Sequence, residues 1–388
     1  MKKIAFFING FYAYRGEQRV LHVIANELSR DYSVTIFTTR ESGDLKEPPY
    51  SLSKGVTIRF FKRRGFFCKV LTQINRKAGF LNHRIFNSLL AGILFPRKMR
   101  SKIVNQINNE GYEAVVGLAE YSMLLGVISN SISAKTVGWM HNSYESYLTK
   151  PHRYKNMREF FICYVGQLDK CIVLNEDIQE KYSKNLGIKT QVIYNARSFA
   201  SNEKSDVNFP MFIACGGFNS AKGFDLLIKS FTIFSKSNSG WNLTIIGDGP
   251  SRPQIEKMIK TSNLTDRIKL TGIIKNVEEV MRTASVFLLS SRWEGFPMTV
   301  TEALELGLPV IAYDITAMGP LVENGKEGLL APSFDVQVFA GCMTRLANDE
   351  SERKRMSKNA IAKTSELSAE KIAAQWKELF EELTTVGE

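Results

Sequence analysis

Glu294 and Glu302 stand with seven residues between them in the stretch 291–312. A carboxylate accepts two parallel hydrogen bonds, which suits a vicinal diol such as the 2′,3′ pair of a ribose or neighbouring hydroxyls of a sugar. Between the two carboxylates lies the run Gly295, Phe296, Pro297, Met298, Thr299. It opens a helix, and backbone amides at a helix start offer unpaired donors and a positive dipole end to phosphate. A ligand carrying both diols and phosphate, a nucleotide sugar, would use every one of these groups. The alternative for the glutamates alone is two solvated charges, one on a loop and one on a helix.

Holding such groups together needs a strand, a loop and a helix. Val286–Leu289 and Val310–Ala312 have the length and apolar composition of buried strands. A loop over 290–297 and a helix from about Met298 to Leu306 connect them, with Gly307 as the helix stop and Pro309 preventing its continuation. The unit reads as βαβ, with its loop at a strand's carboxyl end, where open α/β sheets bind ligands. The embedded sequence Glu294-Gly-Phe-Pro, Glu302-Ala, Gly307-Leu-Pro-Val-Ile-Ala resembles the Glu-x7-Glu signature of glycosyltransferase family 4, whose members are retaining enzymes of the GT-B fold. The likeness extends over nearly the whole chain and is strongest from Gly216 to Leu330.

The resemblance implies further site residues. Met211–Cys215 reads as a strand opening a new sheet. The segment after it, Gly216-Gly-Phe-Asn-Ser-Ala-Lys222-Gly, is similar to the family's Gly-Arg…Lys-Gly, so Lys222 would neutralise a leaving diphosphate. The family arginine falls on Gly217, leaving backbone amides there and one cation fewer, with Arg292 or Arg197 as candidates to replace it. The resemblance makes Glu294 the residue at the donor sugar and Glu302 the residue on the ribose. His141 follows an apolar strand at a place where family members carry a histidine near the donor. Gly16, in Arg15-Gly-Glu-Gln-Arg-Val, resembles part of the family's glycine-rich loop; structurally it could equally be a tight turn. A loop near Ile273–Val277 falls where the family clasps the base.

Length and composition bound the rest. At 388 residues with 44% hydrophobic and 11% aromatic residues, the chain has material for two globular domains. Its five cysteines, Cys68, Cys163, Cys171, Cys215 and Cys342, form no C-x-x-C pair, which suits free thiols rather than disulfides or zinc. No Asp-x-Asp triplet is present, so no metal and no cofactor is expected, the nucleotide sugar being a co-substrate. The opening is too short for a signal peptide. The longest uncharged apolar run of the first half, Ile85–Pro96, is too short to span a bilayer.

The formal charge of +12 is concentrated. Residues 48–109 contain thirteen of the 51 basic residues and no Asp or Glu. The remaining 38 basic residues face 39 acidic ones. Phenylalanines and aliphatics interleave with the cations, a pattern that lies readily on an anionic membrane; the other reading is a helical excursion whose apolar face covers a sheet. No nucleic-acid module is recognisable, and nucleic acid is not expected as a partner.

The expected architecture is therefore α/β of GT-B type, two Rossmann-like domains facing each other across a cleft. Residues 1–200 would bind acceptor and carry the basic segment 48–109, residues 201–370 would bind the nucleotide sugar, and a terminal helix, 371–388, would cross back. The expected activity, by resemblance, is a retaining hexosyltransferase. It would move a hexose or N-acetylhexosamine from a UDP-sugar to a lipid-linked glycan in lipopolysaccharide, capsule or exopolysaccharide synthesis. Its expected place is cytoplasmic, peripheral on the inner face of the plasma membrane. The alternatives are a non-catalytic nucleotide-sugar-binding subunit and a sugar-nucleotide epimerase of the same fold.

Overall fold

The computed structural model describes residues 1–13, 15–39, 46–61, 66–149 and 153–385. They form two compact units: Met1–Ala196 with Ala369–Glu388, and Arg197–Ser368.

The first unit is built on seven parallel strands: β1 (Lys2–Asn9), β2 (Tyr32–Thr39), β3 (Val56–Phe60), β4 (Ala114–Leu118), β5 (Lys135–Trp139), β6 (Lys170–Val173) and β7 (Gln191–Val192). Their order is β3-β2-β1-β4-β5-β6-β7. Eight helices connect them: α1 (Gly16–Leu28), α2 (Phe66–Ala78), α3 (Asn87–Leu94), α4 (Arg97–Glu110), α5 (Glu120–Ile128), α6 (Tyr144–Leu148), α7 (Arg158–Val165) and α8 (Glu176–Leu186). Strands flanked by helices on both faces need apolar residues in succession rather than in alternation, and β1 buries Ile4, Ala5, Phe6, Phe7 and Ile8 in one run.

The second unit has six parallel strands: β8 (Met211–Cys215), β9 (Asn242–Ile246), β10 (Ile268–Gly272), β11 (Val286–Leu289), β12 (Val310–Tyr313) and β13 (Gly328–Ala331), in the order β10-β9-β8-β11-β12-β13. Helices α9 (Phe224–Ser235), α10 (Arg252–Thr261), α11 (Val277–Arg282), α12 (Met298–Glu305), α13 (Val336–Asn348) and α14 (Glu350–Thr364) cover it. In both sheets the chain builds outward on one side of the first strand and then restarts on the other. The reversal lies between β1 and β4 and between β8 and β11, and ligands of open α/β sheets bind at such reversals. The last helix, α15 (Ala369–Thr385), returns to the first unit. There the Trp376 ring lies 4.8 Å from Trp139 and 6.3 Å from Phe6, centroid to centroid.

Three features go beyond the sequence reading. Strand β3 lies inside the basic segment, where its Val-Thr-Ile-Arg-Phe sequence presents no continuous apolar run; as an edge strand it is only partly covered. The segment is not one amphipathic stretch. Leu81, Leu90, Ala91, Leu94, Phe95, Ile103 and Ile107 enter the core of the first unit, and Arg59, Arg76 and Arg84 pair with Glu110, Glu120 and Glu159. Phe60, Ile74, Phe80, Ile85 and Leu89 remain exposed. Helix α2 buries polar side chains: the Thr72 hydroxyl donates to the Cys68 carbonyl at 2.7 Å, and the Asn75 Oδ1 accepts from the Leu81 amide at 2.8 Å. Lys62, Arg63 and Arg64 lie outside the described residues, as does His152. Finally, the polar stretch after Ala196, whose Ser, Asn, Glu, Lys and Asp composition suits an interdomain linker, is held in place: hydrogen bonds from Arg197, Ser198, Ser201 and Lys204 fasten it to α12.

Candidate functional site

In the second unit, the loops leaving β8 and β11 meet backbone to backbone. Gly223 has φ +62°, and a Cβ there would lie 2.1 Å from the Ser290 carbonyl oxygen. Only glycine permits that approach. It is reinforced by three hydrogen bonds: Ser290 hydroxyl to Lys222 carbonyl (2.9 Å), Arg292 amide to Ala221 carbonyl (2.7 Å) and Arg292 guanidinium to Ser220 carbonyl (2.9 Å). The result is that Lys222 and Glu294, 72 positions apart, form an ion pair with Nζ to Oε1 of 2.6 Å. The Ser291 hydroxyl donates to the same carboxylate at 2.6 Å. Gly223→Ala is expected to lower the stability of the second unit by about 1–3 kcal/mol through strain at a left-handed position. Denaturant unfolding would check it.

Helix α12 follows Pro297 at its N-cap with no side chain capping it, so the amides of Met298 and Thr299 lack side-chain partners at a positive helix end. Gly295, Phe296 and Pro297 are buried and bring the chain from Glu294 to that end. The Thr299 hydroxyl is buried without a hydrogen-bond partner. Gly217 lies on the β8 loop with ordinary φ, and a Cβ there would make only van der Waals contact, 3.4 Å from the Asn219 amide nitrogen. The exposed Ile273 lies in the loop after β10.

Arg292 departs from expectation. Its guanidinium lies against Asp225 of α9, at 2.9 and 2.7 Å. The Arg292 hydrogen bonds hold the Asp225 carboxyl below its ordinary range, against the opposing effect of burial. Arg292 thus clamps the loop to α9 rather than offering its charge outward. Arg197, the other candidate to replace the family arginine, is likewise engaged, on Glu305.

Glu305, one turn beyond Glu302 on α12, carries no motif that singles it out in the sequence. It is almost fully buried and accepts from Lys204 Nζ (2.6 Å), Arg197 (2.5 Å), the Ser201 amide (2.9 Å) and the Thr364 hydroxyl (3.0 Å). Burial pushes its carboxyl pKa up, but the bonds from Lys204, Ser201 and Thr364 and the charge of Arg197 bring it down overall. Glu302 is also buried, and its Oε1 accepts from the Ser198 hydroxyl at 2.7 Å. The stretch 197–205 therefore straps α12 down.

In the first unit, His141 follows β5. Its ring is buried, packs 4.4 Å from Trp139, and leaves Nε2 without a hydrogen-bond partner. Burial pushes its pKa down to about 3. The unfolded chain therefore takes up a proton near pH ~6.5 that the folded chain resists until about pH 3, so stability falls as pH is lowered through that window. At pH 4–6, replacing His141 by Gln is expected to flatten the stability profile by up to about 1.4 kcal/mol per pH unit, read by urea unfolding at stepped pH. Gly16 is the first residue of α1, exposed, with open space where a Cβ would point. It is no tight turn, and its geometry does not demand glycine.

Residues 196–363 match the family described as Glycosyl transferases group 1. An exopolysaccharide phosphotransferase of Streptomyces coelicolor is 30% identical over 56% of this chain, which covers 24% of that protein's length. An amylovoran biosynthesis glycosyltransferase of Erwinia amylovora, AmsD, is 23% identical over 98% of this chain and 100% of its own. Among solved structures, a mutant of S. aureus TarM in complex with fondaparinux, alpha-GlcNAc-glycerol and UDP superposes with a TM-score of 0.78. It is 14% identical, over 98% of this chain and 100% of that one. With two Rossmann-like units, each opening its loops at a sheet reversal, and this superposition along its length, the chain has the GT-B fold, and its residues 196–363 are similar to the group 1 glycosyl transferases.

Proposed function

We propose that this chain is a retaining glycosyltransferase of family 4 type that takes a hexose or N-acetylhexosamine from a nucleotide-diphosphate sugar. The observation that carries the reading is the Lys222–Glu294 pair, joined at the sheet reversal beside the uncapped start of α12, with Glu302 on the same helix. Glu302 would hold the ribose diol and Glu294 the donor-sugar hydroxyls. In the reaction the sugar C1–O bond to phosphate breaks and a C1–O bond to the acceptor forms on the same face. The acceptor's proton passes to the departing phosphate oxygen. Lys222 and the amides of Met298 and Thr299 would stabilise the charge on the leaving diphosphate. This arrangement asks for no metal, and turnover is expected to survive EDTA. His141, as a neutral imidazole, would accept or donate one hydrogen bond near the sugar without adding charge.

A UDP donor and a polysaccharide role are supported by what TarM was solved with and by the pathway named for AmsD. A lipid-linked acceptor on an anionic membrane is supported by the cations of the segment 48–109 and by its exposed Phe60, Ile74, Phe80, Ile85 and Leu89. No helix among the described residues is long and apolar enough to cross a membrane.

The deciding experiment is donor hydrolysis and binding across a panel of UDP- and GDP-sugars, for wild type and Glu294→Ala. Slow nucleotide release from one sugar, lost in the variant, supports the transferase. Saturable binding without turnover, even with membrane extract as acceptor, supports a non-catalytic binding subunit. The engagement of Arg292 and Arg197 elsewhere favours that second reading, because it leaves the diphosphate short of a cation. If the shortage limits a working enzyme, Gly217→Arg, whose Cβ would make only ordinary van der Waals contact, is expected to lower the donor KM severalfold.

A further inference from the structure

The first unit contains a cavity of about 310 Å³ at the carboxyl ends of β3 and β4, lined by Phe61, Lys69, Gln73, Arg76, Glu120 and Tyr121, among others. Such a volume is at the small end for ligand sites, enough for one sugar residue with an attached group. The two rings, 5.5 Å apart and edge to face, offer apolar surface of the kind that packs on the C–H face of a pyranose. Two cations of the lining keep donors to spare. Lys69 is exposed and has no carboxylate partner among the described residues. The Arg76 guanidinium reaches Glu120 only at 3.4 Å, and its buried Nε has no hydrogen-bond partner.

Two further features mark the place. It adjoins the reversal of strand order between β1 and β4, where open sheets take ligands. Ala119, which delivers Glu120 into the cavity wall, has φ +50°, a conformation costly for a residue with a Cβ and found preferentially at functional sites.

We propose that this cavity binds a sugar ring carrying a phosphate group, with Lys69 and Arg76 on the anion, Glu120 on ring hydroxyls, and Phe61 and Tyr121 on the apolar face. Resting on the transferase reading, this is the acceptor's reducing-end sugar phosphate. Two cations against one carboxylate give the lining a net positive charge, which a neutral sugar would leave uncompensated.

Binding to the full chain without donor tests the site separately from transfer. Titration calorimetry with glucose 1-phosphate, glucose and inorganic phosphate is run on wild type, Lys69→Glu, Arg76→Gln and Lys222→Ala. Glucose 1-phosphate is expected to bind at least tenfold tighter than either part. Lys69→Glu and Arg76→Gln are each expected to weaken it tenfold or more, and Lys222→Ala to leave it unchanged. Lys69→Glu alters an exposed side chain, so its fold is secure, and melting curves control for Arg76→Gln. No binding, equal binding of inorganic phosphate, or indifference to both cavity variants overturns the proposal. A second arm uses phosphatidylcholine vesicles with and without a polyprenyl diphosphate sugar. Sedimentation that needs the diphosphate sugar and is lost in Lys69→Glu supports the site with a lipid-borne ligand. Calorimetric binding without a vesicle response supports it with a soluble one. If the donor panel shows no turnover while glucose 1-phosphate still binds here, the transferase reading fails and the site stands.

Discussion

Lys222→Ala is expected to lower donor turnover by about 10²–10³-fold, the usual loss when one preorganised group is removed from developing transition-state charge. The expectation rests on scarcity. Arg292 is held by Asp225 and Arg197 by Glu305, and the family arginine's position is Gly217. Lys222 is thus the residue of that loop left to offer a cation, together with the amides at the start of α12. Its partner Glu294 lies 2.6 Å away, so the two act as one unit. A Lys222→Ala, Glu294→Ala double variant is therefore expected to be far less impaired than the product of the single losses. Nucleotide-release assays on the singles and the double, with circular dichroism to confirm the fold, supply the comparison. A loss below fivefold for Lys222→Ala would remove the lysine from the phosphate.

Glu305→Ala is expected to destabilise the second unit by about 3–5 kcal/mol, the cost of leaving buried charges without their counterpart. The carboxylate accepts from Lys204, Arg197, the Ser201 amide and Thr364; its loss leaves the Arg197 guanidinium and the Ser201 amide without that acceptor, while Lys204 keeps the Glu305 carbonyl and Thr364 the Ile361 carbonyl. The effect should carry a pH signature. Because the folded carboxyl pKa is below its ordinary value, the stabilisation is present above the unfolded pKa, near 4.5, and is lost as pH falls through the folded value. Guanidinium unfolding at pH 7 and pH 3.5 would show a wild-type stability difference that shrinks in the variant. A second consequence separates positioning from chemistry. Strapping α12 holds Glu302, so Glu305→Gln, which keeps the shape but weakens the strap, is expected to raise donor KM more than it lowers kcat.

Much of the arrangement is legible in the order of residues. The strands β8 and β11, Met211–Cys215 and Val286–Leu289, match their sequence expectations residue for residue, because strands buried on both faces show as unbroken apolar runs. Helix α12 likewise ends one residue before its expected limit, bounded by Pro297 and Gly307. Strand β3 escapes because an edge strand needs only one apolar side and admits Arg59. The basic segment is only partly legible for a related reason. Its composition suits a membrane surface, but composition does not say which apolar residues point inward, and α3 and α4 turn Leu90, Leu94, Ile103 and Ile107 into the core.

The site divides along the same line. Residue types alone determine that Glu294, Glu302 and Lys222 are suited to diols and phosphate, and that a helix start between the two glutamates supplies amide donors. Which groups meet is a matter of tertiary structure. It joins Lys222 to Glu294 through a glycine contact that no spacing reveals, turns Arg292 onto Asp225, and gathers Arg197, Lys204 and Thr364 around Glu305. Local chemistry and periodicity are properties of neighbouring residues and can be read in order. Charge pairing between segments is set by how sheet order and backbone approach bring distant loops together, and the linear order does not encode that in any local pattern.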